Sequence, residues 1–288
     1  MKIKILTLFL AAVLCFSFSG CGKNAEKEKE SGKKIIAVSI VPEATFVEKV
    51  CGDNFEIVTM IPPSASPETY EPTPQEMQRL EQAEVYFSIG VPAEENSILP
   101  SVSADTEIIS LHTMVGRSHK ELKIGEERDP HIWLSPKRAM AMVAIIGEVL
   151  SEKDPQNKEK YAENVTNYIS ELEALDEEVR SIFGEKTGGK FIAFHPAFGY
   201  FADDYGLTMY ALEEHGKEAT AKRLADMADL AKKENIKTVF YQAENAGKQA
   251  EAFAEEIGGK AVSLEPLAAD YINNIRKMAK SISEAIKS

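Results

Sequence analysis

The segment DPQNKEKYAENVTNYISELEALDEEVRSIFG, residues 154–184, predicts one long helix. Apolar side chains recur along it at spacings of three and four, at Tyr161, Val165, Tyr168, Ile169, Leu172, Leu175, Val179, Ile182 and Phe183. Asp154 is suited to cap the start, Pro155 to occupy the first helical position, and Gly184 to end the helix. At about 1.5 Å per residue such a helix runs roughly 40 Å, which is long enough to cross a whole domain.

Short β-rich runs alternate with helical patterns on both sides of this segment. Those before it are IIAVSI (35–40), FEIVTMI (55–61), EVYFSIG (84–90) and TEIISL (106–111). Those after it are KFIAFH (190–195), LTMYAL (207–212), IKTVFYQ (236–242) and KAVSL (260–264). This alternation is typical of parallel sheets covered by helices. We therefore predict an α/β protein whose two parallel-sheet lobes, 35–153 and 185–288, are joined by the single long helix 154–184.

The N-terminus carries an export pattern. Lys2 and Lys4 precede an apolar run that is too short to span a bilayer, followed by FSGC. This pattern resembles a bacterial lipoprotein signal at residues 1–20, which makes Cys21 the lipidated residue and 21–34 a flexible, charged tether. The alternative is an ordinary secretory signal. We expect a protein on the extracytoplasmic face of the cell membrane, attached to it through the lipid anchor only.

Composition narrows the function classes. The formal net charge of −13 disfavours nucleic acid and anionic lipid as partners. The motifs HExxH, GxSxG, GxxxxGK[ST] and GxGxxG do not occur in the chain, so we expect a protein that is not an enzyme. We also expect a monomer. Cys51 has no partner for an internal disulfide once the signal and Cys21 are set aside, and we interpret it as a small buried hydrophobic residue.

Four side chains are candidate metal ligands. In α/β sheets, ligands bind at the carboxyl ends of strands. His195 follows KFIAF, Glu265 follows KAVSL, Glu68 lies in the loop after FEIVTMI, and His131 stands in RDPHIWLSP just before a predicted helix start. Two imidazoles and two carboxylates suit a divalent transition metal. Each also has an ordinary alternative: a packed histidine, an exposed turn residue for Glu68, or an acidic helix start for Glu265.

The motifs ASPETYEPTP, DPHIWLSP, AFHPAFGYFADDYGL, GKEATAKRLADMADLAKKENIKTVFYQ and LEPLAADYINNIRKMA resemble the metal-binding lipoproteins of bacterial zinc/manganese ABC importers. The resemblance covers essentially the whole mature chain. It implies two α/β lobes bridged by one long helix, with a metal held in the cleft. It also implies Zn²⁺, or alternatively Mn²⁺ or Fe²⁺, as the transported ligand, and an ABC permease with its ATPase as partners.

The resemblance also assigns the ligand positions. His131 and His195 match the second and third ligands of the family, and Glu265 stands where the family has an acidic ligand, usually Asp. The first ligand is usually His, and here that position is Glu68. Because this departure replaces a nitrogen donor with a charged oxygen donor, it bears on which metal is preferred.

Two other function classes use the same ligands, namely a secreted zinc-dependent hydrolase and a metal-binding adhesin. A hydrolase needs an open coordination position and a general base, whereas four protein ligands close the site, so the expectation is carriage. Histidine ligands must be neutral to bind metal, and we expect affinity to weaken below about pH 6.5, the ordinary imidazole pKa.

Overall fold

A computed structural model describes residues 32–213, 219–242 and 247–286. Residues Lys33–Ser288 form one compact unit. The predicted signal at 1–20, Cys21 and the tether up to residue 31 lie outside the described residues. No helix in the described part of the chain is long and apolar enough to cross a membrane.

The first lobe is built on a four-stranded parallel sheet with strand order β2-β1-β3-β4. Its strands are β1 (Ile35–Val38), β2 (Glu56–Thr59), β3 (Ala83–Ser88) and β4 (Glu107–Ser110). Its helices are α1 (Val41–Cys51), α2 (Pro74–Leu80), α3 (Leu111–Val115) and α4 (Pro136–Lys153). A short antiparallel pair, β5 (Lys123–Ile124) and β6 (Glu127–Arg128), precedes α4. Cys51 is buried at the end of α1, as expected, and burial raises the pKa of its thiol to about 11.

The second lobe repeats this design with strand order β10-β9-β7-β8, again all parallel. Its strands are β7 (Lys190–Ala193), β8 (Thr208–Ala211), β9 (Thr238–Gln242) and β10 (Lys260–Leu264). Its helices are α6 (Gly199–Asp204), α7 (Ala221–Lys233), α8 (Gly247–Glu256) and α9 (Tyr271–Ile286). The strands of each sheet are parallel because crossover connections join them, and a crossover returns the chain to the end of the sheet at which the previous strand began.

The long helix α5 (Lys158–Phe183) has 26 residues and joins the two lobes. It contacts α1 and α4 of the first lobe and α9 of the second. Its predicted apolar face is the buried one, with Tyr168 and Leu172 among its fully enclosed side chains. The predicted fold class, two parallel-sheet lobes and one connecting helix, is confirmed.

The start of α5 differs from the sequence pattern. Pro155–Asn157 forms a 3-10 turn, and the α-helix begins only at Lys158. The carboxylate of Asp154 accepts hydrogen bonds from the Tyr161 hydroxyl, at 2.6 Å, and from the Asn157 amide, at 2.7 Å. Because the Asp154 carboxylate accepts from these two side chains, it stabilises the first turn without capping the α-helix itself. The predicted end is correct: Gly184 follows the last helical residue with a φ of 45°.

The packing of α5 gives a stability prediction. Leu172→Ala should lower the free energy of unfolding by about 2–5 kcal/mol, because the fully buried side chain leaves a cavity. Glu173→Ala, on the exposed face of the same helix, is the matched control and should stay within about 0.5 kcal/mol of wild type. Urea unfolding of both variants measures the difference. Equal stability of the two variants would show that α5 does not share the core.

Candidate metal centre

His131 is held by the residue two positions before it. The backbone N–H and the ring Nδ1–H of His131 both donate to Oδ1 of Asp129, at 2.9 and 2.7 Å. A carboxylate can only accept, so this contact fixes the tautomer and leaves Nε2 as the lone-pair donor. The Trp133 ring packs 5.1 Å from the imidazole. Next, Ser135 caps α4 by accepting from the backbone N–H of Arg138, which fixes the end of the loop.

His195 is held in the same manner by the second lobe. It lies two residues beyond the end of β7, and its Nδ1–H donates to Oε2 of Glu213 at 2.8 Å. Glu213 follows β8, the neighbouring strand, and its backbone N–H donates to the Phe194 carbonyl at 2.9 Å. The carboxyl ends of two adjacent parallel strands therefore supply a candidate ligand and the carboxylate that orients it.

Glu68 completes a group of three. Its Oε1 lies 3.4 Å from Nε2 of His195 and 3.9 Å from Nε2 of His131, and the two Nε2 atoms are 3.2 Å apart. One ligand atom from each residue falls within 4.8 Å of the others. The histidines are buried, and the Glu68 side chain is 19% exposed. The group opens into a cleft of about 510 Å³ that both lobes line.

These distances fit a zinc ion. Zinc binds imidazole nitrogen and carboxylate oxygen at about 2.0–2.2 Å, so the edges of a tetrahedral site are roughly 3.3–3.6 Å long. The three separations of 3.2, 3.4 and 3.9 Å bracket that range. A tetrahedral ion could therefore be bound with small side-chain shifts.

Glu265, the fourth predicted ligand, lies apart from this group. It directly follows β10, as expected, but the residue is exposed, and its backbone carbonyl accepts a hydrogen bond from the Asn274 amide at 2.6 Å. The two residues after it, Pro266 and Leu267, line a small gap beside Glu68 and both histidines. Glu265 is therefore next in sequence to residues that line the gap, but its side chain is not part of the group of three. Its role as a ligand stays a prediction.

The charges of the centre are coupled. Burial alone would raise the pKa of the Glu68 carboxyl, but the neighbouring His195 and His131 hold it below its ordinary value. For His195 burial acts in the opposite direction and favours the neutral ring, yet the Glu213 and Glu68 carboxylates raise the pKa to about 9. At neutral pH the metal-free centre thus contains an imidazolium paired with carboxylates.

Two residues of the centre were not among the sequence-based candidates. Asp129 had a local signal, because it stands two residues before His131 in the DPH motif. Glu213 had none, because it is 18 residues from His195 and meets it only through the pairing of β7 with β8.

Comparison with known proteins places this centre in a family. Residues 36–285 match the family described as zinc-uptake complex component A periplasmic. The high-affinity zinc uptake system protein ZnuA of Bacillus subtilis (strain 168) is 29% identical over 279 residues, covering 90% of this chain and 88% of that protein. The zinc-binding lipoprotein AdcA of Streptococcus pneumoniae serotype 4 is 26% identical over 307 residues, covering 98% of this chain but only 61% of AdcA.

A solved structure agrees with the sequence comparisons. A crystal structure of ZnuA superposes with a TM-score of 0.81 and 35% identity, covering 88% of this chain and 99% of that one. The family match and this structural relative together show that the chain belongs to the family of periplasmic zinc-uptake complex component A proteins.

Proposed function

We propose that this protein captures a zinc ion in the cleft between its lobes and delivers it to an ABC permease powered by an ATPase. One observation carries the proposal: Glu68, His131 and His195 direct three ligand atoms at one point, with separations near the edges of a tetrahedral zinc site. The zinc-uptake names of its relatives support the same cargo.

Zinc is the metal that this ligand set favours over Mn²⁺ and Fe²⁺. For nearly any site of nitrogen and oxygen donors, intrinsic affinity for zinc exceeds that for manganese and iron. The carboxylate of Glu68 adds a hard donor, so the preference for zinc over manganese is smaller than at a site with three imidazoles. Glu265 remains the proposed fourth ligand, and reaching the ion would require movement of its exposed side chain.

Carriage fits the centre better than hydrolysis. A hydrolytic zinc site needs a carboxylate or imidazole free to take a proton from water. None of the three carboxylates that contact the imidazole rings is free in this way: Asp129 and Glu213 each accept from an imidazole N–H, and Glu68 is itself placed as a ligand. We propose a binding protein without enzymatic activity, and the family match favours it over the hydrolase and adhesin alternatives.

We also propose that the chain acts as a monomer anchored to the membrane by lipid at Cys21. The FSGC pattern and the lipoprotein name of AdcA support the anchor.

Cys21→Ala should move the protein out of the membrane fraction, and retention of lipid label by that variant would contradict the proposal.

Glu68 tests the ligand set. Loss of residues that merely orient ligands costs about 10–100-fold in metal affinity, so Glu68→Ala should weaken zinc binding by about 100-fold or more. Glu68→His should retain zinc and widen its margin over manganese, because imidazole is the softer donor. Glu71→Ala removes an exposed carboxylate from the same loop and is the matched control. Competition titration measures all three, and unchanged zinc affinity in Glu68→Ala would make Glu68 a turn residue only.

The pKa of His195 predicts proton-coupled binding. Metal-free His195 carries a proton below about pH 9, and only the neutral ring binds zinc. Affinity is therefore greatest above that pH and should fall about tenfold per pH unit from pH 8 to 6.5. This onset is higher than the value near 6.5 expected from an ordinary imidazole.

Calorimetry at pH 7.5 in buffers of different ionisation enthalpy counts the protons released. We expect about one proton per zinc from His195 in wild type. Glu213→Gln should reduce that number, because it removes a negative charge that raises the His195 pKa. Zinc binding without proton release at this pH would show that His195 is neutral in the metal-free protein.

A further inference from the structure

The side chain of Glu94 is fully buried in the first lobe and accepts four hydrogen bonds. Oε1 accepts from the Ser39 hydroxyl and, at 2.8 Å, from the backbone N–H of Ile89. Oε2 accepts from the Ser88 hydroxyl and the backbone N–H of Gly90, both at 2.7 Å. Ser39 follows β1 and Ser88 ends β3, so the carboxylate attaches the turn after β3 to the two central strands of the sheet.

This turn, residues 89–93, contacts both ligand-bearing segments of the first lobe. The backbone N–H of Ala93 donates to the carbonyl of Pro67 at 3.0 Å, one residue before Glu68. The Arg128 guanidinium donates to the carbonyl of Gly90 at 3.4 Å, three residues before His131. The turn is thus hydrogen-bonded to the loop of one predicted ligand and to the start of the loop of another.

Gly90 allows the Arg128 guanidinium to approach the backbone of the turn closely. Its φ is 84°, and a Cβ at this position would lie 2.6 Å from Nδ1 of His112 and closer still to the Arg128 guanidinium. Only glycine permits this conformation and this approach. The Arg128 guanidinium therefore lies against the backbone of the turn, in the space that a Cβ at residue 90 would fill.

We propose that Glu94 is a positioning residue of the metal centre. Through residues 89–93 it fixes the separation between the Glu68 and His131 loops and so the spacing of two zinc ligands. This inference rests on the proposed function, because it concerns the same metal. It goes further by assigning part of the zinc affinity to a carboxylate that does not touch the ion.

Glu94→Gln is the direct test. Each carboxylate oxygen receives one hydroxyl and one backbone N–H, so the amide NH₂ of Gln necessarily faces a backbone N–H that it cannot accept from. The turn must shift, and zinc Kd should rise about 10–100-fold, as for other residues that orient ligands. In a Glu68→Ala background the same change should cost less, because the part of its effect that acts through the Glu68 loop is already lost and such mutations are not additive.

A second variant breaks the connection without altering the carboxylate. Ala93→Pro removes the N–H that bonds to Pro67, and the Ala93 φ of −60° suits proline. It should also weaken zinc binding in wild type more than in the Glu68→Ala background. Met227→Ala removes a buried side chain of α7, in a hydrophobic cluster separate from the one that contains Ala93, and is the control for destabilisation alone. Its zinc Kd should stay near wild type.

Competition titrations of zinc against a chelator, run well below each melting temperature, give the seven affinities of this comparison, the control included. The inference is overturned if Glu94→Gln and Ala93→Pro bind zinc as wild type does, or if they lose the same factor in both backgrounds. Absence of zinc binding by wild type would instead overturn the proposed function.

Discussion

The facing imidazoles of His131 and His195 are the contact on which the other features of this structure depend. Their Nε2 atoms lie 3.2 Å apart, although the residues come from different lobes. Two rings this close repel if both are protonated, so their charge must be balanced locally. Glu68 lies in front of both rings, and Asp129 and Glu213 each hold one ring from behind. The same carboxylates keep the rings in place and, in the proposed function, balance the proton that a metal ion would displace from His195.

A fixed distance between two lobes requires contacts that cross between them. The indole N–H of Trp133 donates to the carbonyl of Pro266 at 3.0 Å, and the Tyr271 hydroxyl donates to the Trp133 carbonyl at 2.7 Å. The helix α5 adds a buried face shared by both lobes. Because packed interiors deform little, these contacts hold the three candidate ligand atoms near the spacing that the proposed zinc site requires. A smaller part of the binding free energy is then lost to ordering the site.

The architecture is predictable from sequence because its determinants are local. The spacing of apolar residues in 154–184 predicts α5, and alternating β-rich and helical runs predict the two parallel sheets. The rule that ligands lie beyond the carboxyl ends of strands then selects Glu68, His195 and Glu265, and the start of a predicted helix adds His131. Three of these four meet in the structure, while Glu265 is exposed and apart from them.

What the sequence does not reveal depends on tertiary contacts. Asp154 is taken by Tyr161, so the α-helix begins later than its capping pattern indicates. Glu213 meets His195 only because β7 and β8 are neighbours. In the sequence nothing distinguishes Glu94 from other acidic residues, and its burial beside β1 and β3 is evident only in the fold. Unlike Asp129 in the DPH motif, Glu213 and Glu94 carry no local signal that separates a solvated side chain from one that positions a site.

X-ray absorption spectroscopy of zinc-loaded protein counts the imidazole rings bound to the metal and so tests the proposed ligand set. We expect two imidazoles, with the remaining inner ligands being oxygen, at about 2.0–2.2 Å. A spectrum with one imidazole or none, or with sulfur bound to zinc, would contradict it.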